Sequence, residues 1–78
     1  MQQYKNLGGD SNVARYEIGA SSITVEFMSG TYRNYLYDAN QPGAAHVQRL
    51  KDLAVAGRGL NSYIGIHLRS ANSYAKKW

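Results

Sequence analysis

The stretch Ile23–Tyr37, ITVEFMSGTYRNYLY, decides the fold. Its first five residues alternate between apolar and polar side chains, and this period of two predicts a strand rich in β-branched and aromatic residues. The dipeptide Ser29-Gly30 follows, and glycine accepts the positive φ that tight hairpin turns need. The remaining residues of the stretch predict a second strand, which folds back antiparallel on the first.

A two-residue loop at Ser29-Gly30 sets the predicted register, because the cross-strand pairs follow by counting outward from the turn. Directly opposed residues share a face of the sheet. One face, apolar with a single exception, then carries Ile23, Val25, Phe27, Tyr32, Asn34 and Leu36. The opposite face carries Thr24, Glu26, Met28, Arg33, Tyr35 and Tyr37. This register predicts that Phe27 is a core residue and that Tyr35 and Tyr37 lie beside Arg33 on the other face.

Another strand is predicted before this hairpin, over residues 13–18, with a four-residue loop that begins at Gly19. The predicted pairs are Ile18 with Ile23, Glu17 with Thr24, Tyr16 with Val25, Arg15 with Glu26, and Ala14 with Phe27. In this arrangement Arg15, Glu26 and Arg33 form a row across three strands, with the acid in the middle, which helps to define the register.

Two helices are predicted after the strands. The first starts at Pro42, since the missing N–H of proline costs nothing at the first helical position. Its apolar residues are spaced as on one helical face, and Gly57 suits the left-handed position after a helix end. The second helix rests on the spacing of Leu60, Tyr63, Ile64 and Leu68. Alternation of apolar residues leaves a strand as the alternative for residues 60–68.

These elements predict an α+β fold, a three-stranded antiparallel β-meander followed by two helices packed on one sheet face. With 78 residues the chain is expected to form one domain, near the lower size limit for a core of its own. The predicted division is a flexible N-terminal lead-in over residues 1–10, the domain over residues 11–69, and a basic aromatic C-terminal tail over residues 70–78.

The residue types argue against an enzyme. The chain has no cysteine, which excludes disulfides, thiolate zinc sites and a cysteine nucleophile. Neither His46 nor His67 has a carboxylate at helical spacing, so no metal site is predicted. No serine has an adjacent base, the acids are scattered, and residues 57–59 are too short for a phosphate loop. We therefore expect no catalytic residue and no cofactor.

The chain also lacks the sequence features of a membrane protein. No apolar run approaches the roughly 20 residues that a membrane span needs. The first residues lack the apolar stretch of a signal peptide. We expect a cytoplasmic protein with no membrane partner, and the sequence leaves its oligomeric state open, a homo-oligomer included.

Basic and aromatic residues occur together in the second half of the chain. The net charge is −1 over residues 1–39 and +5 over residues 40–78, which is typical either of a polyanion-binding protein or of a solubilising surface. Bases stack on exposed rings while Arg and Lys neutralise phosphates. The candidate nucleic-acid or nucleotide-binding residues are Arg33, Tyr35, Tyr37, Arg49, Lys51, Arg58, Arg69, Tyr74, Lys76, Lys77 and Trp78. The alternative is that the tyrosines are packing residues.

The order of several short motifs resembles the KTSC domain, a bacterial module found at the C-terminus of some lysyl-tRNA synthetases. The matching motifs are Ser11-Asn12-Val13, the strand TVEF, Ser29-Gly30, Tyr35-Leu36-Tyr37 and Asn61-Ser62-Tyr63-Ile64. The match covers about residues 11–69, and Tyr32-Arg33-Asn34 is an alternative match for the tyrosine motif. In this chain the proline lies four residues after Asp38, whereas the helix of the family usually follows Val-Pro. The family has no established function, and its synthetase context implies RNA binding only by analogy.

We therefore expect a small non-catalytic domain that binds RNA, single-stranded nucleic acid or a small nucleotide through tyrosines and basic residues. The alternative is a protein-interaction module, such as a small phage or mobile-element protein that binds and inhibits a host protein. Binding that weakens strongly with salt would favour the first hypothesis. A salt-insensitive apolar contact would favour the second.

Overall fold

The computed structural model describes residues 1–9 and 11–78, and it has an α+β fold. Its elements are β1 (Gln2–Gln3), β2 (Val13–Ile18), β3 (Ser22–Phe27), β4 (Asn34–Asp38), α1 (Ala44–Ala56), α2 (Leu60–His67), a 3₁₀ turn (Ala71–Ser73) and β5 (Lys76–Lys77). The strands form one antiparallel sheet in the order β1-β2-β3-β4-β5. The predicted three-stranded meander is therefore the centre of a five-stranded one. None of the helices described is long and apolar enough to cross a membrane.

The β2–β3 hairpin has the predicted register near its turn. The pairs from Ile18–Ile23 to Arg15–Glu26 are confirmed, but the pair of Ala14 with Phe27 is wrong. The register shifts between Val13 and Arg15, so that Val13 lies opposite Phe27. This irregularity gives β2 one extra residue and turns the Val13 side chain, which is 1% exposed, into the core.

Arg15 and Glu26 form a two-pronged ion pair across these strands, with the guanidinium donating hydrogen bonds of 2.7 and 2.8 Å to the two carboxylate oxygens. The pKa of Glu26 is lowered, first by the hydrogen bonds from Arg15, while burial acts in the opposite direction. The predicted row of three is only partly present. Asn34, and not Arg33, lies opposite Glu26, although the positive charge of Arg33 still lowers the Glu26 pKa.

The predicted register of the β3–β4 hairpin is wrong by one residue. Ile23 lies opposite Tyr37 and Val25 lies opposite Tyr35. The last backbone bond runs from the Phe27 N–H to the Arg33 carbonyl, at 2.7 Å. Residues 28–33, called here the β3–β4 loop, therefore connect the strands in place of a two-residue turn at Ser29-Gly30.

This longer loop changes which side chains of β4 face the helices. The predicted register would have placed the amide of Asn34 on the core face, where an unpaired polar group costs free energy. The observed register places the rings of Tyr35 and Tyr37 there, and a tyrosine ring buries a large apolar surface. Tyr37 is 1% exposed. The predicted face for Tyr35 and Tyr37 is therefore wrong, and the alternative that these tyrosines are packing residues is confirmed for the buried Tyr37.

Residues 1–9, which belong to the predicted flexible lead-in, contribute to both the sheet and the core. Gln2 and Gln3 pair with Tyr16 and Arg15 as an edge strand. The Tyr4 ring is 3% exposed, and its hydroxyl accepts a hydrogen bond from the Leu60 N–H at 3.4 Å. Residue 10, the last of that predicted lead-in, lies outside the described residues.

The C-terminal tail (residues 70–78) also joins the sheet. Lys76 and Lys77 pair with Leu36 and Tyr35 of β4. Asn34 exchanges backbone hydrogen bonds of 3.0 Å in both directions with Trp78. The tail therefore covers the edge of β4 that the three-strand prediction left unpaired.

Both helices pack on one side of the sheet, as predicted. The first helix begins at Ala44 after Gly43, so Pro42 lies before the helix and not at its first position. Gly57 ends this helix in a left-handed conformation, as predicted, with a φ of 78°. Residues 60–67 are helical, so the strand alternative for this segment is wrong. The buried apolar residues of the sheet and the helices are Val13, Tyr16, Ile23, Val25, Tyr37, Val47, Leu50, Ala54, Leu60, Ile64 and Leu68. Phe27, predicted to be core, is only half-buried.

The contact between the N-terminal segment and the end of α1 can be tested at Gly57. A Cβ atom there would lie 2.7 Å from the Cβ of Lys5. Leu7 also donates its N–H to the Gly57 carbonyl at 2.8 Å. We expect Gly57→Ala to lower the free energy of unfolding by more than the ~1–2 kcal/mol that a left-handed alanine costs by itself, because Lys5 must move as well. Urea denaturation measures this change.

Gly59→Ala is the matched control. Its φ is 80°, but a Cβ there would meet only the Cδ2 atom of Leu53, at 3.4 Å. The two variants share the backbone strain and differ in the contact with Lys5. Equal losses of stability in the two variants would contradict the packing of residues 1–9 against α1.

Candidate functional site

An open cavity of about 500 Å³ lies between the sheet, α2, the β3–β4 loop and the C-terminal tail. Its volume falls within the range of about 300–1,000 Å³ that is typical of small-molecule sites. Strand β4 contributes Tyr35 and Tyr37, and α2 with the residues just after it contributes Asn61, Ile64, Gly65, Leu68 and Arg69. The α2 residues recur at helical spacing, so one face of the helix forms a wall of the cavity.

Five aromatic side chains line this cavity, namely Phe27, Tyr32, Tyr35, Tyr37 and Tyr74. The Tyr35 ring lies at the centre of the group. It makes edge-to-face contacts with Phe27, at 5.5 Å between ring centroids, and with Tyr74, at 5.1 Å. Such contacts add to the stabilisation from burial and hold the rings in defined orientations. The Tyr32 ring, by contrast, is 47% exposed at the rim.

The Tyr37 hydroxyl stays protonated and uncharged near neutral pH. Its pKa is raised, first by burial and then by the neighbouring Tyr35 and Tyr74. A neutral phenol can both donate and accept a hydrogen bond. Tyr37 therefore offers the cavity a polar group without a charge.

Two cations, Arg69 and Lys77, also line the cavity. The ammonium of Lys77 lies 4.7 Å from the ring centroid of Tyr32 and 5.4 Å from that of Tyr74. The pKa of Lys77 is raised, first by a side-chain hydrogen bond with Tyr74, so its charge is retained. Within residues 1–9 and 11–78, no carboxylate lines the cavity. An anion held beside an aromatic ring suits this combination of charges.

The β3–β4 loop is tied to the start of β2. Ser29 donates its hydroxyl to the Asn12 side-chain oxygen at 3.1 Å, and the Met28 N–H donates to the Asn12 carbonyl at 2.8 Å. Asn12, Ser29 and Tyr32 all line the cavity. These bonds hold the loop, and with it the Tyr32 backbone, at the rim.

The cavity brings together five of the predicted binding residues, which are Tyr35, Tyr37, Arg69, Tyr74 and Lys77. The other six, Arg33, Arg49, Lys51, Arg58, Lys76 and Trp78, do not line it. Lys51 is engaged elsewhere, because its ammonium donates to the carbonyls of Gly19 and Ala20, at 2.8 and 3.2 Å. It joins α1 to the β2–β3 turn.

The remaining basic residues are spread over the surface. Arg49 is exposed on α1, and Arg58 lines a smaller cavity of about 160 Å³ at the start of α2. Arg33 is exposed in the β3–β4 loop and donates its backbone N–H to the Trp78 carbonyl at 3.2 Å. The Lys76 ammonium lies 5.8 Å from the Trp78 ring centroid. None of these residues lines the cavity of the candidate site.

Several cavity residues are not predicted from the sequence, above all Tyr32 and Gly65. A two-residue turn puts Tyr32 in a strand on the core face, whereas the longer loop exposes it. In the sequence, Gly65 is recognisable only as a residue type that weakens a helix. A helix-breaking residue on the same helical face as Asn61 and Leu68 is the signal that points to it.

The two histidines lie apart from this cavity, between the helices. The Nδ1 atom of His46 is 2.6 Å from the Tyr63 hydroxyl. The His67 ring is 4.6 Å from the Tyr63 ring, centroid to centroid, and it is exposed. Among the described residues no group of three or more His, Asp and Glu side chains is placed to hold a metal ion.

Comparison with known proteins adds nothing to this geometry. No family model, curated protein or solved structure matches the chain. The resemblance to the KTSC domain stays a prediction that rests on the order of the motifs. The residues of the cavity are therefore the basis for a functional proposal.

Proposed function

We propose that this chain is a non-catalytic binding domain for a nucleotide, either free or as a unit of RNA or another single strand. One observation carries the proposal: five aromatic rings and two cations line the same cavity, and no carboxylate of the described residues lies among them. Rings and cations are the two kinds of group that a nucleotide needs, for its base and its phosphate.

The chemistry of the lining favours binding over catalysis. Stacking of a base on an aromatic side chain is worth about 1–3 kcal/mol, and it requires only an accessible ring. A guanidinium or ammonium adds charge-assisted hydrogen bonds to phosphate oxygens. No histidine lines the cavity in the described part of the chain, so the groups that most often move protons in enzymes lie elsewhere.

A titration that follows tyrosine fluorescence tests the proposal. The ligands are a ten-nucleotide single-stranded RNA and adenosine 5′-monophosphate, each at 50 and 200 mM salt. We expect saturable binding of at least one ligand, and we expect the affinity for the RNA to fall as salt rises. Wild-type protein that binds neither ligand at 50 mM salt would overturn the proposal.

Removal of the two cavity cations should weaken binding without affecting the fold. Arg69 and Lys77 are both exposed, so Arg69→Gln with Lys77→Gln should leave the melting temperature nearly unchanged. We expect at least a ~10-fold loss of affinity, because hydrogen bonds to charged groups contribute about 1.5–3 kcal/mol each. The salt slope for RNA should fall by about 0.7 for each phosphate that the variant no longer neutralises.

Arg49→Gln with Arg58→Gln is the control for that double variant. It removes the same net charge from the protein, but neither residue lines the cavity. We expect a small change in affinity at low salt. An equal loss of affinity in both double variants would show that the binding depends on the overall charge and not on the cavity.

A protein-interaction module is the second candidate. Val55 of α1 and Ile66 of α2 are 59% and 75% exposed, the two highest values among the exposed large apolar side chains of the described residues. Apolar residues at the centre of an interface would become buried on binding a protein. Such binding would be insensitive to salt and would be weakened by Val55→Ser with Ile66→Ser, whereas the nucleotide proposal expects no effect of these changes.

A further inference from the structure

Gly65 occupies an interior position of α2, where glycine weakens a helix relative to alanine. At other positions of the chain, a left-handed φ or a close contact explains why the residue is glycine. Gly57, for example, has a left-handed φ of 78°, and a Cβ there would lie 2.7 Å from the Cβ of Lys5. Gly65 has neither reason, because its φ is not in the left-handed region and a Cβ there would meet nothing within 4 Å.

Gly65 is exposed and lines the cavity of the candidate site together with the aromatic residues. Because glycine has no side chain, the backbone of α2 is bare at this part of the cavity. Glycine is the residue that permits close approach of a ligand to the backbone. A flat group can therefore come closer to α2 at Gly65 than it could beside any other residue type.

From these observations we infer that the cavity holds one nucleotide unit, with its base inserted against the α2 backbone at Gly65 and its phosphate at Arg69 and Lys77. This inference rests on the proposed function and deepens it, since it assigns separate places in the cavity to the base and to the phosphate. Tyr32, Tyr35 and Tyr74 line the same cavity and provide the rings for the base. Arg69 lies two residues after the end of α2, and it lines the same cavity as Gly65.

The inference predicts a cavity-filling variant that does not damage the protein. Gly65→Leu places a large side chain in open space and improves the helix propensity of α2. We expect a melting temperature equal to or above that of the wild type, together with at least a tenfold loss of affinity for adenosine 5′-monophosphate. Ser62→Leu is the matched control, because it adds the same side chain to an exposed position of α2 that does not line this cavity.

Titration with the ten-nucleotide RNA tests whether the bound nucleotide is free or is a unit of a strand. Competition between the RNA and adenosine 5′-monophosphate, with both weakened by Gly65→Leu, would assign the site to a unit of a strand. Binding of the mononucleotide alone would assign it to a free nucleotide. Adenosine and ribose 5-phosphate, tested separately, should each bind more weakly than the nucleotide, because each lacks one of the two recognised groups.

The result that overturns the inference differs from the one that overturns the proposed function. RNA binding that is abolished in the Arg69→Gln and Lys77→Gln variant but unchanged in folded Gly65→Leu would refute the inserted base and leave nucleic-acid binding standing. Absence of any binding by the wild type would refute both. If Gly65→Leu does not fold, NMR spectroscopy of the wild-type protein tests the inference. We expect the amide resonance of Gly65 to shift when adenosine 5′-monophosphate is added. An unshifted resonance at saturation would refute the inference.

Discussion

Tyr37→Ala is expected to lower the free energy of unfolding by about 3–5 kcal/mol, the range found when large buried aromatic residues are truncated to alanine. Tyr37 is 1% exposed and is the largest of the fully buried side chains. It lies opposite Ile23, which is itself fully buried. Natural domains have total stabilities of about 5–15 kcal/mol, and a chain of this size belongs at the low end. The variant should therefore be largely unfolded near physiological temperature.

Circular dichroism during urea denaturation measures this loss of stability, and Tyr37→Phe is its control. The phenylalanine keeps the ring and removes only the hydroxyl, so we expect a decrease of at most about 1.5 kcal/mol. A Tyr37→Ala protein with the stability of the wild type would show that the ring is outside the core. This outcome would also support the register that a two-residue turn predicts.

The period of the apolar residues predicts the elements of this fold well. Strands β2 and β3 alternate every second residue, and α1 repeats its apolar residues at helical spacing, so each pattern has one simple interpretation. The pairing of β2 with β3 from Ile18 to Arg15 also follows, because Arg15 and Glu26 bond strongly only in one register. Local sequence is enough wherever a single face of an element carries the apolar residues.

The β3–β4 register cannot be predicted in the same way, because β4 and the loop before it carry aromatic residues on both faces. Two registers that differ by one residue each give the sheet an apolar face. One places Tyr32 on that face, and the other places Tyr35 and Tyr37 there. The choice depends on loop length, and a glycine in the loop is compatible with both lengths. Packing against α1 and α2 decides it, and the sequence of the hairpin does not contain that information.

The candidate site is predicted only in part for a related reason. Arg69, Tyr74 and Lys77 are distant in sequence from β4, and they reach the cavity because α2 and the C-terminal tail both pack beside that strand. The sequence reveals the basic and aromatic character of these residues but not their common location. Lys51 shows the same limit, because its charge predicts binding, whereas its ammonium forms hydrogen bonds with backbone carbonyls of the protein itself.

Tyr32→Ala is expected to lower the affinity for the nucleotide ligand by about 5- to 150-fold, which corresponds to the 1–3 kcal/mol of one stacked base. The ring is 47% exposed at the rim of the cavity, so it can stack without rearrangement of the core. Its contact with the Lys77 ammonium, at 4.7 Å, is worth only about 0.5–1 kcal/mol at an exposed site. The fold should therefore lose little stability, unlike that of Tyr37→Ala.

Trp78→Ala separates the cavity from the aromatic residues outside it. Trp78 is 50% exposed, slightly more than Tyr32, but it does not line the cavity. Fluorescence titration with adenosine 5′-monophosphate and with the RNA should show a large loss of affinity for Tyr32→Ala, nearly full affinity for Tyr32→Phe, and little change for Trp78→Ala. Each variant removes one exposed ring, but only Tyr32→Ala removes it from the cavity. A loss of affinity in Trp78→Ala, with unchanged affinity in Tyr32→Ala, would therefore place the ligand on the outer surface of the tail.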